Sequence, residues 1–228
     1  MIPTPSEAEP LTERELAALP VFPLPNVVML PGSVLPLHLF EPRYRAMARD
    51  CIESGPRALA LALLRPGWQS DYHGRPRIHD IAGAGRIVAH RANGDGTYDI
   101  LLSALSRVRL SELVDEQRPY RVARAEMLVD LHDDESVRPT LTSVLGAAAQ
   151  LAATRRTGSM PPPIDLSGSP GRIADRIADR WLEHDPAARQ AILEALDVNA
   201  RLALLGDALA GLLAARLATQ RGDRGTAN

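Results

Sequence analysis

The sequence contains no lysine, and all 26 of its basic residues are arginine. A chain without lysine has no amine for a Schiff base, no Ser–Lys dyad and no lysine for a phosphate-binding P-loop. It also contains a single cysteine, Cys51, so no disulfide can form within the chain. These two absences exclude lysine-dependent catalysis and give no indication of oxidative folding.

Aromatic residues and net charge are also scarce. Aromatics make up 4% of the 228 residues, so leucine, valine, isoleucine and alanine must form most of the core. The formal net charge is −2, with 15 arginines against 16 acidic residues in 1–130 and 11 against 12 in 131–228. Neither part of the chain would attract nucleic acid or an anionic membrane through its overall charge.

The sequence shows no targeting or membrane signal. The first 19 residues lack the basic and apolar segments of a signal peptide. The apolar stretch 198–217 is interrupted by Arg201, Asp207 and Arg216, which argues against a membrane span. We therefore expect a cytoplasmic protein without a membrane anchor.

Hydrophobic patterning divides the chain into a β-rich part and an α-helical part. Residues 1–18 are polar and predict a loose N-terminal arm. Short apolar runs separated by proline and glycine predict strands from 19 to 131, with one helix beginning at Pro42. Helical periodicity follows from 132 to 220, and 221–228 reads as a flexible tail. The expected fold class is therefore α+β.

Three local patterns add detail to this outline. The sequence NGDG at 93–96 predicts a tight turn, followed by two strands at 98–102 and 107–114. A proline-rich segment, 155–171, predicts a loop between helices. In the last helix, apolar residues recur at steps of four and three, which is typical of helix packing within one chain or between two. These residues are Val198, Leu202, Leu205, Leu209 and Leu212.

A longer set of motifs resembles a known family. The segments LPVFPL at 19–24, VVMLPG at 27–32 and LPLHLFEPRYR at 35–45 are similar to the opening of the Lon protease N-terminal domain, and above all to its stand-alone bacterial versions. Further similar segments follow in order to about residue 217. The residues of the third segment that carry the family signature are Pro36, Phe40, Glu41, Pro42, Arg43, Tyr44 and Arg45.

The resemblance implies a PUA-like β pseudo-barrel followed by a helical bundle. It also implies a domain that captures protein substrates and does no chemistry. Lon itself continues into an ATPase and a Ser–Lys protease, whereas this chain ends at Asn228 without any lysine. We therefore expect no enzymatic activity and no cofactor, and a protein or unfolded polypeptide as the partner. Roles as an adaptor, as a regulator of a separate protease or as a holdase all stay open.

The best candidate for a partner-binding site is the loop from 65 to 77. It combines aromatic, histidine and arginine side chains, which are common at protein interfaces because they bury a large area and keep a polar end. The alternative is that the aromatic residues only fix a long loop to the barrel. The candidate residues are Trp68, Tyr72, His73, Arg75 and Arg77. We expect the family-signature residues to be structural.

Other site chemistries find little support. The six histidines form no metal-ligand spacing, and no nucleophile or dinucleotide motif is present, so we expect no metal and no catalytic residue. Some PUA-like barrels bind RNA, which makes an RNA- or nucleotide-binding module the alternative function. Arg118, Arg121 and Arg124 are close in sequence, but strand alternation would put Arg121 on the opposite face, so nucleic acid is not the expected partner.

Overall fold

The computed structural model describes residues 9–53, 55–113, 115, 117–154 and 163–225. The chain divides into two compact units, Met1–Val129 and Asp130–Asn228. The first is rich in β-structure, and the second is helical. The prediction of an α+β fold is therefore confirmed.

The described residues of the first unit contain one six-stranded mixed sheet. Its strands are β1 (Leu19–Leu24), β2 (Val34–Leu39), β3 (Ala58–Leu63), β4 (Ile81–Ala92), β5 (Tyr98–Leu113) and β6 (Arg121–Leu128). Their order is β2-β5-β4-β3-β1-β6, and an additional β5–β6 pairing closes five of them into a ring. This ring is the pseudo-barrel implied by the family resemblance. Strand β2 lies outside the ring and pairs only with β5 among the described strands.

Strand β5 is one continuous strand, so the prediction of two separate strands at 98–102 and 107–114 was wrong. The turn at 93–96 is present as predicted and joins β4 to β5. Gly96 there adopts a φ of +79°, which favours glycine. No glycine or proline interrupts β5. Its first half pairs with β2 and its second half with β6, while β4 pairs with residues 98–109.

The core of this unit consists of small and aliphatic side chains, as the low aromatic content requires. Strand β3 has the sequence ALALAL and is buried on both faces. Its alanines belong to one apolar cluster, whereas Leu59 and Leu61 belong to another. Helix α2 (Pro42–Glu53), which begins where the sequence predicted, covers the second cluster with Tyr44, Met47 and Cys51.

Residues 9–18 are packed rather than loose, which corrects the predicted arm as far as the structure describes it. Leu11 and Leu16 are buried in the first apolar cluster, and helix α1 (Glu13–Leu16) begins with a capping box between Thr12 and Glu15. Arg86 of β4 holds the segment in place. Its two terminal guanidinium nitrogens donate to the Glu15 carboxylate oxygens at 2.7 and 2.9 Å. It also donates to the carbonyl oxygens of residues 9 and 10. Residues 1–8 lie outside the described part of the chain.

The second unit consists of helices around a buried seam. The helices are α3 (Arg138–Ala153), α4 (Pro170–Trp181), α5 (Pro186–Glu194) and α6 (Val198–Gly225). Asp185 and Asp197 cap α5 and α6 at their N-termini. Helix α6 packs against the other three within the chain. Four of its five seam residues are fully buried, and Leu212 is half-buried.

Two predicted segments of this unit are only partly described. Of the loop at 155–171, residues 155–162 lie outside the described residues, and α4 already begins at Pro170. The predicted tail, 221–228, begins inside α6, whose backbone is helical to Gly225. Residues 226–228 lie outside the described chain.

Helix α6 has the length and composition of a membrane-spanning helix over Val198–Thr219. This is weak support for a membrane span, because core helices can have the same length and composition. One face of it is fully buried by Val198, Leu202, Leu205 and Leu209. This face belongs to the core of the helical unit.

The Arg201 side chain is the central polar group of the helical unit. It is 0% exposed, and its guanidinium binds Asp130 at 2.9 Å and approaches Asp175 at 3.7 Å. Its Nε also donates to the Ala195 carbonyl oxygen at 2.9 Å. Asp175 is itself only 1% exposed. The charge of Arg201 therefore offsets part of the cost of burying Asp175.

Replacing Arg201 with alanine should strongly destabilise the helical unit. The change removes a buried cation from beside Asp130 and Asp175, and removing one member of a buried ion pair costs about 3–5 kcal/mol at comparable sites. The measurement is urea unfolding of the full chain, followed by far-UV circular dichroism. Arg138→Ala is the control, because Arg138 forms an exposed pair with Glu135 and should change the midpoint little. Equal effects of the two substitutions would contradict this account.

The contact between Glu15 and Arg86 should make the N-terminal segment sensitive to acid. Burial by itself would raise the pKa of the Glu15 carboxyl, but hydrogen bonds from Arg86 and Thr12 outweigh it and hold the pKa below its usual 4.5. The ionised form is therefore favoured by folding. Its stabilising contribution is complete above pH 4.5 and is lost as the pH falls through the lowered value.

Hydrogen exchange, corrected for the intrinsic effect of pH, measures this directly. Amides of residues 11–16 should lose protection below pH 4.5 earlier than those of β3, and Glu15→Gln should reduce their protection at neutral pH. Glu13→Gln, on the exposed side of α1, is the matched control and should have no such effect. Unchanged protection in Glu15→Gln would show that the ion pair between Glu15 and Arg86 does not hold the segment.

Candidate functional site

The loop from 65 to 77 is closed at its base and packed through its aromatic residues. The backbone N–H of Arg65 donates to the Arg77 carbonyl oxygen at 2.8 Å, which brings the two ends together. Trp68 lies in a short 3-10 helix, Trp68–Asp71, and its ring meets that of Tyr72 edge to face at 5.5 Å between centroids. Both rings are half-buried against the first apolar cluster. They therefore fix the loop to the barrel and also present part of their surface to solvent.

The other three candidate residues are more accessible. His73, Arg75 and Arg77 are all exposed. The His73 ring lies edge to face with Tyr72 at 5.2 Å between centroids. The loop thus presents one half-buried aromatic pair beside a polar, basic rim.

The family signature and the loop meet at Tyr72, although about 30 residues separate them in the sequence. The Tyr72 hydroxyl donates to Glu41 Oε1 at 2.6 Å, and Arg43 donates to the Tyr72 carbonyl oxygen at 3.2 Å. Arg43 also pairs with Glu41 at 3.0 Å. The hydrogen bond to Glu41, with a smaller effect of burial, raises the pKa of the Tyr72 phenol. These contacts connect the start of α2 to the loop.

Most of the other signature residues pack inside the unit or bind its backbone. Pro42 opens α2, and Tyr44 is 4% exposed with its ring 4.4 Å from that of Phe22. Burial raises the pKa of the Tyr44 phenol to about 12. Arg45 donates to the Gly96 carbonyl oxygen at 2.6 Å and so joins α2 to the β4–β5 turn. Pro36 lies in β2 and removes one backbone donor from that strand.

Phe40 differs from the other signature residues. Its side chain is 62% exposed directly after β2, and the core of the unit does not contain it. An exposed phenylalanine is unexpected in a chain with only two of them. Phe40 was expected to be structural because it belongs to the family signature. Its ring instead continues the exposed side of β2, on which Val34, Pro36 and His38 lie.

Beside the loop lies a small concavity of about 80 Å³, which we call the arginine pocket. Four arginines and three of the four tyrosines of the chain line it, and no acidic side chain among the described residues does so. These residues are Arg43, Arg75, Arg118, Arg121, Tyr44, Tyr72 and Tyr120. The prediction that Arg118 and Arg121 lie on opposite faces was wrong, because Arg118 precedes β6 and is not subject to strand alternation.

The positive charges of the pocket influence one another. Arg121 is 6% exposed, pairs with Glu112 at 3.1 Å and donates to the Pro76 carbonyl oxygen at 2.6 Å. Burial lowers the pKa of its guanidinium, and the charges of Arg75 and Arg43 lower it further against the opposing effect of Glu112. In the sequence, Arg43 belongs to the family signature and Arg75 to the loop, and no local pattern predicts that both lie beside Arg118 and Arg121.

A larger cleft of about 620 Å³ lies in the same unit, next to Arg118 and Tyr120. Its walls include Glu15 of the N-terminal segment and Asp50 and Cys51 of α2. The Tyr120 hydroxyl donates to Asp50 at 2.8 Å. Burial raises the pKa of the Cys51 thiol to about 12, so Cys51 does not supply a nucleophile here. Within the described residues, no group of histidine, cysteine and acidic side chains could hold a metal ion.

Comparisons with known sequences point to one family. Residues 18–211 match the family described as the ATP-dependent protease La (LON) substrate-binding domain. Lon protease 2 of Sorangium cellulosum is 29% identical over 197 residues, which cover 82% of this chain and 24% of that protein. Lon protease of Xanthomonas oryzae pv. oryzae is 28% identical over 211 residues, which cover 90% of this chain and 24% of that protein. The chain thus spans about a quarter of the length of these relatives.

Solved structures agree on the fold. A Lon N-terminal domain protein from Xanthomonas campestris superimposes with a TM-score of 0.58 at 23% identity, covering 82% of this chain and 96% of that structure. The N-terminal domain of the Mycobacterium avium complex Lon protease gives a TM-score of 0.59 at 17% identity, covering 85% and 98%. Both structures are matched over nearly their whole length.

Proposed function

The chain belongs to the family of LON substrate-binding domains, and from this membership we propose that it binds segments of polypeptide and does no chemistry on them. The match of residues 18–211 to that family carries the proposal. The absence of lysine removes the Ser–Lys dyad that Lon-type proteolysis needs. The chain would act in the cytoplasm, because its single cysteine needs no oxidising compartment.

We assign the binding surface to the half-buried aromatic pair of the loop together with Phe40. Trp68 and Tyr72 offer apolar area on a rigid base, which lowers the entropy lost on binding. Phe40 is next in sequence to Glu41, whose carboxylate accepts the hydrogen bond of Tyr72, so the exposed ring lies one residue from the loop contact. His73, Arg75 and Arg77 supply the polar rim that such interfaces commonly have.

Replacing Phe40 with serine should weaken polypeptide binding by about fivefold or more, as expected when an aromatic anchor is lost. Because Phe40 is 62% exposed, the free energy of unfolding should change by no more than about 0.5 kcal/mol. Trp68→Ala should weaken binding as well, but it should also lower stability by about 1–3 kcal/mol because the ring packs against the core. The measurement is fluorescence anisotropy of a labelled, permanently unfolded polypeptide.

Two controls make this experiment decisive. Leu204→Gln removes an apolar side chain of similar exposure, 44%, from the helical unit and should leave binding unchanged. A single-stranded RNA tested at low and physiological salt separates polypeptide binding from phosphate-driven binding, which falls steeply with salt. Salt-sensitive RNA binding without polypeptide binding would overturn the proposal in favour of a nucleic-acid module.

A further inference from the structure

The arginine pocket concentrates positive charge that its surroundings do not fully neutralise. Glu41 pairs with Arg43, Asp115 pairs with Arg118 at 3.4 Å and Glu112 pairs with Arg121, and these three carboxylates lie outside the lining. Four guanidiniums thus face three partner carboxylates. Arg75 is the fourth, and it is exposed with no ion-pair partner among the described residues.

Two arginines of the pocket are already held in position by other residues of the unit. Arg121 is held by Glu112 and by the Pro76 carbonyl oxygen, and Arg43 is held by Glu41 and by the Tyr72 carbonyl oxygen. A guanidinium has five N–H donors, so each retains donors beyond those contacts. Positioned donors of this kind suit the oxygens of a carboxylate or a phosphate.

The size of the pocket limits what it can hold. A water molecule occupies about 30 Å³ in the liquid, and pockets for drug-sized ligands measure about 300–1,000 Å³. At about 80 Å³, the pocket is far smaller than those and suits a single small group such as a carboxylate or a phosphate. Its tyrosine walls would cover the carbon atoms that carry such a group.

We propose that the arginine pocket binds a single oxyanion, and that a carboxylate of the captured polypeptide supplies it. The identity of the carrier rests on the function proposed above. Tyr72 supports it, because the same side chain belongs to the aromatic pair of the loop and to the wall of the pocket. An apolar segment on the aromatic pair would therefore bring a nearby acidic side chain to the guanidiniums.

The test compares two short labelled peptides in fluorescence anisotropy with the full chain. They are rich in leucine and phenylalanine, capped at both ends and identical except for one central glutamate or glutamine. The glutamate peptide should bind about tenfold more tightly, since a hydrogen bond to a charged group is worth about that much. Arg75→Gln should remove this difference, and Arg75→Lys should restore part of it by restoring the charge.

Arg124→Gln is the matched control. Arg124 is an exposed arginine on β6, the strand of Arg121, and it does not line the pocket. The glutamate preference should survive this substitution although the net charge changes equally. Circular dichroism confirms that the variants are folded, which we expect because both side chains are exposed. A separate titration with inorganic phosphate, matched in ionic strength by chloride, tests the other source of an oxyanion.

Each outcome separates the pocket from the proposed function. If both peptides bind equally in every variant and phosphate has no effect, the oxyanion site is wrong, although polypeptide capture stands. If no peptide binds but phosphate binds and Arg75→Gln removes that binding, the pocket takes free phosphate and the polypeptide source is wrong. If Arg124→Gln weakens the glutamate preference as much as Arg75→Gln does, overall charge is responsible and the proposal falls.

Discussion

The backbone hydrogen bonds of β5 are the constraint on which the β-rich unit depends. This strand of 16 residues pairs with β4 over residues 98–109, with β2 through its first half and with β6 through its second. Phe40 and Glu41 directly follow β2, and Arg121 is the first residue of β6. The position of β5 therefore fixes both the family-signature segment and the buried arginine of the pocket.

Local features could be predicted from the sequence, whereas features joined across long separations could not. Pro42 predicted the start of α2, and the sequence NGDG at 93–96 predicted the turn before β5, because each signal lies within a few residues of its effect. The continuity of β5 was missed because serines in the middle of a strand resemble a connection. The arginine pocket was missed because its members come from positions as far apart as 43 and 121.

The packing of the N-terminal segment shows the same limit. Polar, glutamate-rich residues predicted a loose arm, but Arg86, 71 residues away from Glu15, converts that polarity into a fixed contact. Arg121 and Arg201 likewise combine a carboxylate with a backbone carbonyl in a buried place. A planar guanidinium with several donors suits such mixed contacts better than an ammonium group does. The arginines of the chain thus join buried segments to one another as well as supplying charge at the surface.

The burial of Cys51 has a consequence for the conditions that the protein tolerates. The side chain is 1% exposed in the β-rich unit, and burial raises the pKa of its thiol to about 12. At neutral pH almost none of the Cys51 side chain is thiolate, which is the form that reacts with peroxide or with a disulfide. The chain therefore has no thiol through which an oxidant could switch it or link it to another protein while it is folded.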